Sequence, residues 1–179
     1  MKPKVFIIVF IIFILFVLTP SRMNKSFNGI NFDFNNDEKI ETVTVNINGI
    51  LTRDLTFRPK TFKGTISIDS NKFEITEPIS LTPIPYGKTK KYYELYLDYE
   101  NVMNWKLNNN SLYNRFGQRA LWIIYTDSNF SYISIVAMPP DKDGGWTSSS
   151  EIITAPCSNR DEAISITNRL RTGVNTLEQ

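Results

Sequence analysis

Histidine is absent and cysteine occurs once in the 179 residues. Without His, a His-based catalytic triad and a His-ligated metal centre are excluded. One Cys makes neither an intrachain disulfide nor a thiolate zinc cluster. A large excess of one charge is also missing, with 20 Lys+Arg against 18 Asp+Glu. There is no Gly-rich phosphate loop, G-x-S-x-G elbow or S-x-x-K motif, and the Ser148–Ser150 run is followed by Glu151 rather than Lys. No motif implies a cofactor or a metal. What is present in quantity is apolar and aromatic side chain, at 41% and 13% of residues, which fits a folded core rather than disorder.

One long hydrophobic run exists, the 14 residues Val5 to Leu18, preceded by Lys2 and Lys4 and followed by Thr19-Pro20-Ser21-Arg22. As a helix it would span about 21 Å, short of a hydrocarbon core of about 30 Å. Residues 1–22 are therefore read as a signal peptide or an uncleaved signal anchor, the basic start and run length fitting an h-region. Thr19 and Ser21 stand at cleavage-site spacing, but Pro20 and the lack of an A-x-A pattern weaken that site. A lipoprotein signal needs a Cys directly after the run, and the lone Cys is Cys157. In either form the lysines hold the N-terminus inside and the rest is exported. Without Lys2 and Lys4 that remainder balances 18 basic against 18 acidic residues, so net charge gives no support to nucleic-acid binding. The expected location is the cell membrane, with the domain on the extracytoplasmic side, or secreted if the signal is cleaved. The expected membrane partner segment is residues 5–18.

Residues 23–38 are polar and Asn-rich and read as a linker or a loosely attached first strand. From Lys39 onward apolar residues mostly recur every second position, the sign of half-buried strands. Val43, Val45 and Ile47 lead to Asn48-Gly49, a strong hairpin signal, with Ile50 to Phe57 as the return strand. That hairpin puts Leu51, Leu55 and Phe57 on the opposite face from Ile50, so its register stays open between two covered faces and a bulge. Phe62, Gly64, Ile66 and Ile68 form one face, Asp69 to Lys72 turns the chain, and Phe73 and Ile75 return opposite Ile68 and Ile66. Pro78, Pro83 and Pro85 mark an irregular connection. Tyr92 to Tyr99 is a strand; 101–117 reads as a long loop with one helical turn at 102–107. Arg119 to Thr126 reads as a central strand. A four-residue loop then pairs Ile124 with Ile133 and Trp122 with Ile135. Glu151 to Ala155 is a short strand.

Ser158 to Thr172 is the convincing helix. Ser158 is placed to cap it with Asp161 three positions on, Arg169 and Arg171 suit its C-terminal end, and Gly173 suits the terminating position. Ala163, Ile164, Thr167 and Leu170 make its apolar face. The expected fold is α+β: an antiparallel sheet of about seven strands packed by one C-terminal helix and preceded by an N-terminal targeting or anchor helix. The domain occupies residues 39–173, with 174–179 as a frayed tail.

The candidate ligand loop is Pro139 to Trp146. Asp141, Asp143, Gly144, Gly145 and Trp146 combine two carboxylates, a Gly pair and an aromatic. Asp141 and Asp143 have the spacing of the first two ligands of a calcium loop, but Trp146 and Ile152 stand where Gly and Glu are required. The plainer alternative is a sharp turn with Trp146 folding back over the core. Asp33, Asn35 and Asp37 repeat the partial spacing and fail the same test. Glu94 and Asp98 would lie about 13 Å apart on a strand, wider than glycosidase pairs. Lys88, Lys90 and Lys91 form a small basic patch, read as a solvated loop, with a contact to lipid head groups or an anionic wall polymer as the alternative. Cys157 precedes a helix N-terminus, which would lower its pKa, yet no His base accompanies it.

Several stretches are familiar together: Ile47-Asn48-Gly49, Thr61 to Ile66, Gly144-Gly145-Trp146, Ile152 to Pro156 and Asn159 to Ala163. They resemble small exported or membrane-anchored proteins of unknown function from Gram-positive bacteria, over most of residues 40–172. The resemblance implies an envelope location and no activity. The functional expectation is an extracytoplasmic β-rich module that binds a protein or cell-envelope ligand without catalysis. The alternative is a carboxylate-dependent hydrolase or lyase acting on an envelope polymer through acids such as Asp98, Asp141 or Asp143 beside Trp146.

Overall fold

A computed structural model describes residues 7–10, 14, 19–37, 40–56, 58–69, 71–84, 92–97, 121–138 and 151–172. The period-two segments form β1 (Ser21–Asp33), β2 (Ile40–Arg53), β3 (Pro59–Ile68), β4 (Asn71–Ser80), β5 (Thr82–Pro83), β6 (Tyr92–Leu97), β7 (Leu121–Asp127), β8 (Ile133–Met138) and β9 (Glu151–Ala155), followed by the helix α1 (Arg160–Thr172). They make one nine-stranded antiparallel sheet in the order β4-β3-β2-β1-β9-β8-β7-β6-β5. Its inner face is a continuous core in which Phe62, Ile66, Tyr93, Leu95 and Ile124 are fully enclosed. The sheet coils until β4 touches β6, and the Phe73 and Trp122 rings meet at 5.3 Å across it. The outer face of β1, β9 and β8 carries Ile30, Phe32, Ile152 and Val136, which pack with Ala163 of α1.

The expected antiparallel sheet with a C-terminal helix is present, with nine strands among the described residues rather than about seven. Of the two readings of segment 23–38 the first strand is the one present, and it is not loosely attached: most of the segment is β1, the strand that joins the two halves of the sheet. Its burial alternates too. Met23 and Phe27 face the inner core while Ile30 and Phe32 face the helix, and the intervening Asn and Ser residues hid the pattern. The Asn48-Gly49 turn is also overturned. Both residues lie inside β2, where Gly49 pairs with Met23 on one side and Gly64 on the other. The reason is steric: a Cβ on Gly49 would run into the Lys63 carbonyl and come within 2.8 Å of the Phe62 ring. The glycine permits close approach of strands, one of two uses of Gly within a sheet. Gly64, at φ 154°, sits beside a register shift between β3 and β4. The facing pair creases the sheet there.

Two hairpins keep their predicted faces and change register by two residues, a shift that preserves which side chains are buried. Ile66 pairs with Phe73, not Ile75, because the turn tightens around Asp69 at φ 51°. Ile124 pairs with Ile135, not Ile133, because the loop grows to residues 127–132. Asp127 closes that loop: its Oδ1 accepts from Ser131 N at 2.5 Å and its carbonyl accepts from Phe130 N at 3.1 Å. Phe130 is driven into the core against Phe62, ring centroids 5.3 Å apart.

The helix begins one residue later than its expected cap. Asn159 Oδ1 accepts from Glu162 N at 2.9 Å, and Glu162 Oε2 accepts from Ser158 N at 2.9 Å, so the pair Asn159–Glu162 replaces Ser158–Asp161. Ile166 is buried with Ala163, Thr167 and Leu170. A 13-residue helix is marginal alone; its buried side chains, at about 1.5–3 kcal/mol for each large one, hold it to the sheet. Thr167 Oγ1 also meets Ser134 Oγ at 3.0 Å and Thr154 Oγ1 at 2.7 Å, so the buried hydroxyls satisfy one another. Of the expected N-terminal helix, residues 7–10 are helical and exposed. Among the described residues no helix is long and apolar enough to cross a membrane. Gly173 and the tail 174–179 lie outside the described residues.

Candidate functional site

The antiparallel order gives the sheet two ends. At the distal end β1 finishes at Asp33, β6 at Leu97 and β8 at Met138, while β7 starts at Leu121 and β9 at Glu151. The connections 98–120 and 139–150 both hang from these residues. The proximal end carries the start of β1, the β2–β3 loop at 54–58 and the β7–β8 loop at 127–132. Connecting segments on a rigid sheet are where binding residues concentrate, and the two longest connections attach at this end, so the distal end is the candidate site.

Its floor is polar. Asp33 and Glu151 face each other in the β1–β9 ladder, and Asn31 lies two residues back on the same face. Glu151 is 8% exposed and Asn31 5%, unusual burial for a carboxylate and an amide. Asn31 Oδ1 is buried and has no hydrogen-bond partner among the described residues. Trp122, 3% exposed, adds an aromatic to the same inner face. Directly opposed strand residues have Cβ atoms about 4.5–5.5 Å apart, so the two carboxyl groups are near neighbours. Asp33 is partly committed, because its Oδ1 accepts from Asn35 N at 2.8 Å. Nothing in the local sequence marks Glu151; only the closure of β9 on β1 does.

Of the expected ligand residues, Asp141, Asp143, Gly144, Gly145 and Trp146 lie outside the described residues, as do Asp98 and the helical turn at 102–107. The described residues that flank 139–150 are Met138 and Glu151, at the rim of the polar floor. Asp33, Asn35 and Asp37 do not converge as metal ligands would. Asp33 closes a turn on Asn35, and Asp37 pairs with Arg160 at 2.7 Å. Among the described residues no group of three or more His, Cys, Asp or Glu side chains could hold a metal. Glu94 lies on the outer side of β6 beside Tyr96, whose phenol is pushed up to about 12 by burial and by the Glu94 carboxylate. Lys88, Lys90 and Lys91 lie outside the described residues. The crease at Gly49 and Gly64 leaves a surface concavity of about 460 Å³, whose charged lining residues are Lys63 and Glu74.

Cys157 is the partly buried structural thiol that the absence of a His base implies, but its pKa moves opposite to the expected direction. Burial pushes its thiol up to about 11; a backbone bond from Ile30 offsets this in part, and the Glu162 carboxylate adds to it. The thiol donates to the Thr154 carbonyl at 2.9 Å. Desolvation outweighs the helix N-terminus, so the group is a neutral structural thiol at ordinary pH. At pH 8 its alkylation by iodoacetamide is expected to run roughly a hundredfold slower than in the urea-unfolded chain and to accelerate through pH 10–11. Mass spectrometry of timed samples checks this; equal rates in both states would refute it.

No protein-family model matches this chain, and no curated protein or solved structure matches it either.

Proposed function

We propose that this protein is a membrane-anchored or secreted extracytoplasmic module whose distal loop end binds a protein or cell-envelope ligand. The observation that carries the reading is the polarity of the fold. The two longest connections, 98–120 and 139–150, spring from the end of the sheet opposite to Ser21, where the chain leaves the apolar run. A domain tethered at Ser21 presents that distal end away from the bilayer. The run 5–18 with its flanking lysines supports export, as does the resemblance to exported Gram-positive proteins. A photocrosslinking residue at Asp143 and another at Glu74, on the outer side of β4, test it in the native host. Adducts to a protein or wall polymer at 143 and not at 74 are expected; adducts at 74 alone refute the distal site. Recovery of the tagged chain from cytosol refutes the location.

The opposed Asp33 and Glu151 favour a second reading, a hydrolase or lyase acting on an envelope polymer. Two carboxylates within about 10 Å suit a general acid with a base or nucleophile. Incubation of purified wall polymer with the wild-type chain and with Glu151→Gln separates the readings: release of soluble fragments by wild type and not by the variant means catalysis.

A further inference from the structure

The proximal end has a composition of its own. Arg22 is exposed at the start of β1, and Arg58 and Lys60 are exposed around the β2–β3 loop. Leu55 stands at the tip of that loop, 63% exposed, the highest value among the exposed large hydrophobic residues. Ile50, opposite Arg22 in the ladder, is 43% exposed, although the preceding outward-facing residues of β2, Thr44, Asn46 and Asn48, are polar. The acid within the loop is turned inward: Asp54 Oδ1 accepts from Thr56 N at 2.8 Å, Thr56 Oγ1 at 2.6 Å and Arg58 N at 3.0 Å. These bonds hold its pKa below the ordinary carboxylate value. The loop therefore keeps its shape with Leu55 projecting. Arg53 is tied to Asn129 Oδ1 at 3.0 Å, which fixes the neighbouring loop at the same end.

Chain length does the rest. Two residues, Thr19 and Pro20, separate Leu18, the last of the apolar run, from Ser21; the three Cα–Cα steps reach about 10 Å when fully extended. If residues 5–18 occupy a membrane, Ser21 has to lie within that distance of it, and the β2–β3 loop continues past Leu51, the partner of Ser21, at the same end of the sheet. An exposed leucine that shares one end of the sheet with exposed Arg and Lys side chains is the composition of an interfacial contact. The apolar side chain enters the head-group boundary and the cations pair with lipid phosphate.

We propose that the rim formed by Arg22, Leu55, Arg58 and Lys60 rests on the anionic phospholipid surface into which residues 5–18 insert, holding the domain upright with its distal loops outward. The proposal rests on the anchored reading above and adds a second, electrostatic contact to it. The full chain carrying Cys157→Ser is produced in the presence of phosphatidylcholine vesicles with and without about 30 mol % phosphatidylglycerol. A bimane label is placed at Leu55→Cys or, at the distal end, at the exposed Ile40→Cys. Quenching by a head-group spin-labelled lipid is expected to be about threefold stronger at 55 than at 40 on anionic vesicles. The difference should fall in neutral vesicles, in about 0.5 M salt and in Arg58→Glu/Lys60→Glu. Flotation of the chain with the vesicles should stay unchanged throughout. Flotation with equal quenching at both sites overturns the rim contact and leaves the anchor standing; failure to float overturns both. A quenching difference that ignores salt, lipid charge and the double substitution overturns the electrostatic pairing.

Discussion

Replacing Phe130 with Ala is expected to destabilise the fold by about 4 kcal/mol, a fall in Tm of roughly 8–16 °C for a domain of this size. Phe130 is wholly enclosed although it belongs to a loop, and its ring packs on Phe62 at 5.3 Å. It also holds φ 53°, a conformation that costs a non-Gly residue about 1 kcal/mol or more. Burial of the ring is what offsets that cost, so Ala loses the packing and keeps most of the strain. Phe130→Gly relieves the strain and leaves the cavity, and should lie about 1 kcal/mol above the Ala variant. Thermal melts followed by circular dichroism measure both. A melt for Phe130→Ala within about 2 °C of wild type, where a single kcal/mol already shifts Tm by that much, would show that the ring is not a core plug.

Gly49→Val should be about as damaging, at 3 kcal/mol or more. Its Cβ would strike the Lys63 carbonyl, which belongs to the paired backbone, and the edge of the Phe62 ring at 2.8 Å, which can move. A second substitution, Phe62→Leu, should therefore recover part of the loss, a coupling of about 0.5–3 kcal/mol in a double-mutant cycle. A hairpin turn at Asn48-Gly49 predicts otherwise: the cost would come from positive φ at the glycine, and Phe62 would not couple to it. Strictly additive urea-unfolding energies would restore the turn.

Those two positions also mark how far the residues alone could be read. Inward alternation in Val43 to Ile47, Phe62 to Ile68 and Tyr93 to Leu97 identified the core faces, because burial of one face imposes a period of two whatever the register. The stretch Glu151 to Ala155 and the helix from 160 were legible for the same kind of reason: a short apolar run, and a 3.6-residue repeat with acidic and basic ends. Asn48-Gly49 misled because a local turn preference is worth little beside the long ladder through β2. The burial of Phe130 was not legible, because nothing within the loop shows which way an aromatic faces. The candidate loop Asp141 to Trp146 was chosen for residue types alone, whereas the opposed Asp33 and Glu151 are 118 positions apart in the chain. No local signal joins such residues.

The amino-acid sequence alone defines what chemistry is unavailable, since missing His and a lone Cys need no structure to interpret. It also determined which side chains face inward and that one helix closes the chain, because amphipathic period is a property of neighbours. Tertiary structure decided the rest: that an Asn-rich segment becomes the strand joining both halves, that a glycine pair creases the sheet, and that Glu151 is enclosed beside Asp33. It also decided that Leu55, Arg58 and Lys60 share an end with Ser21. Each of these depends on pairing between distant segments, whose free energy comes from packing and ladder hydrogen bonds formed only when the whole sheet closes.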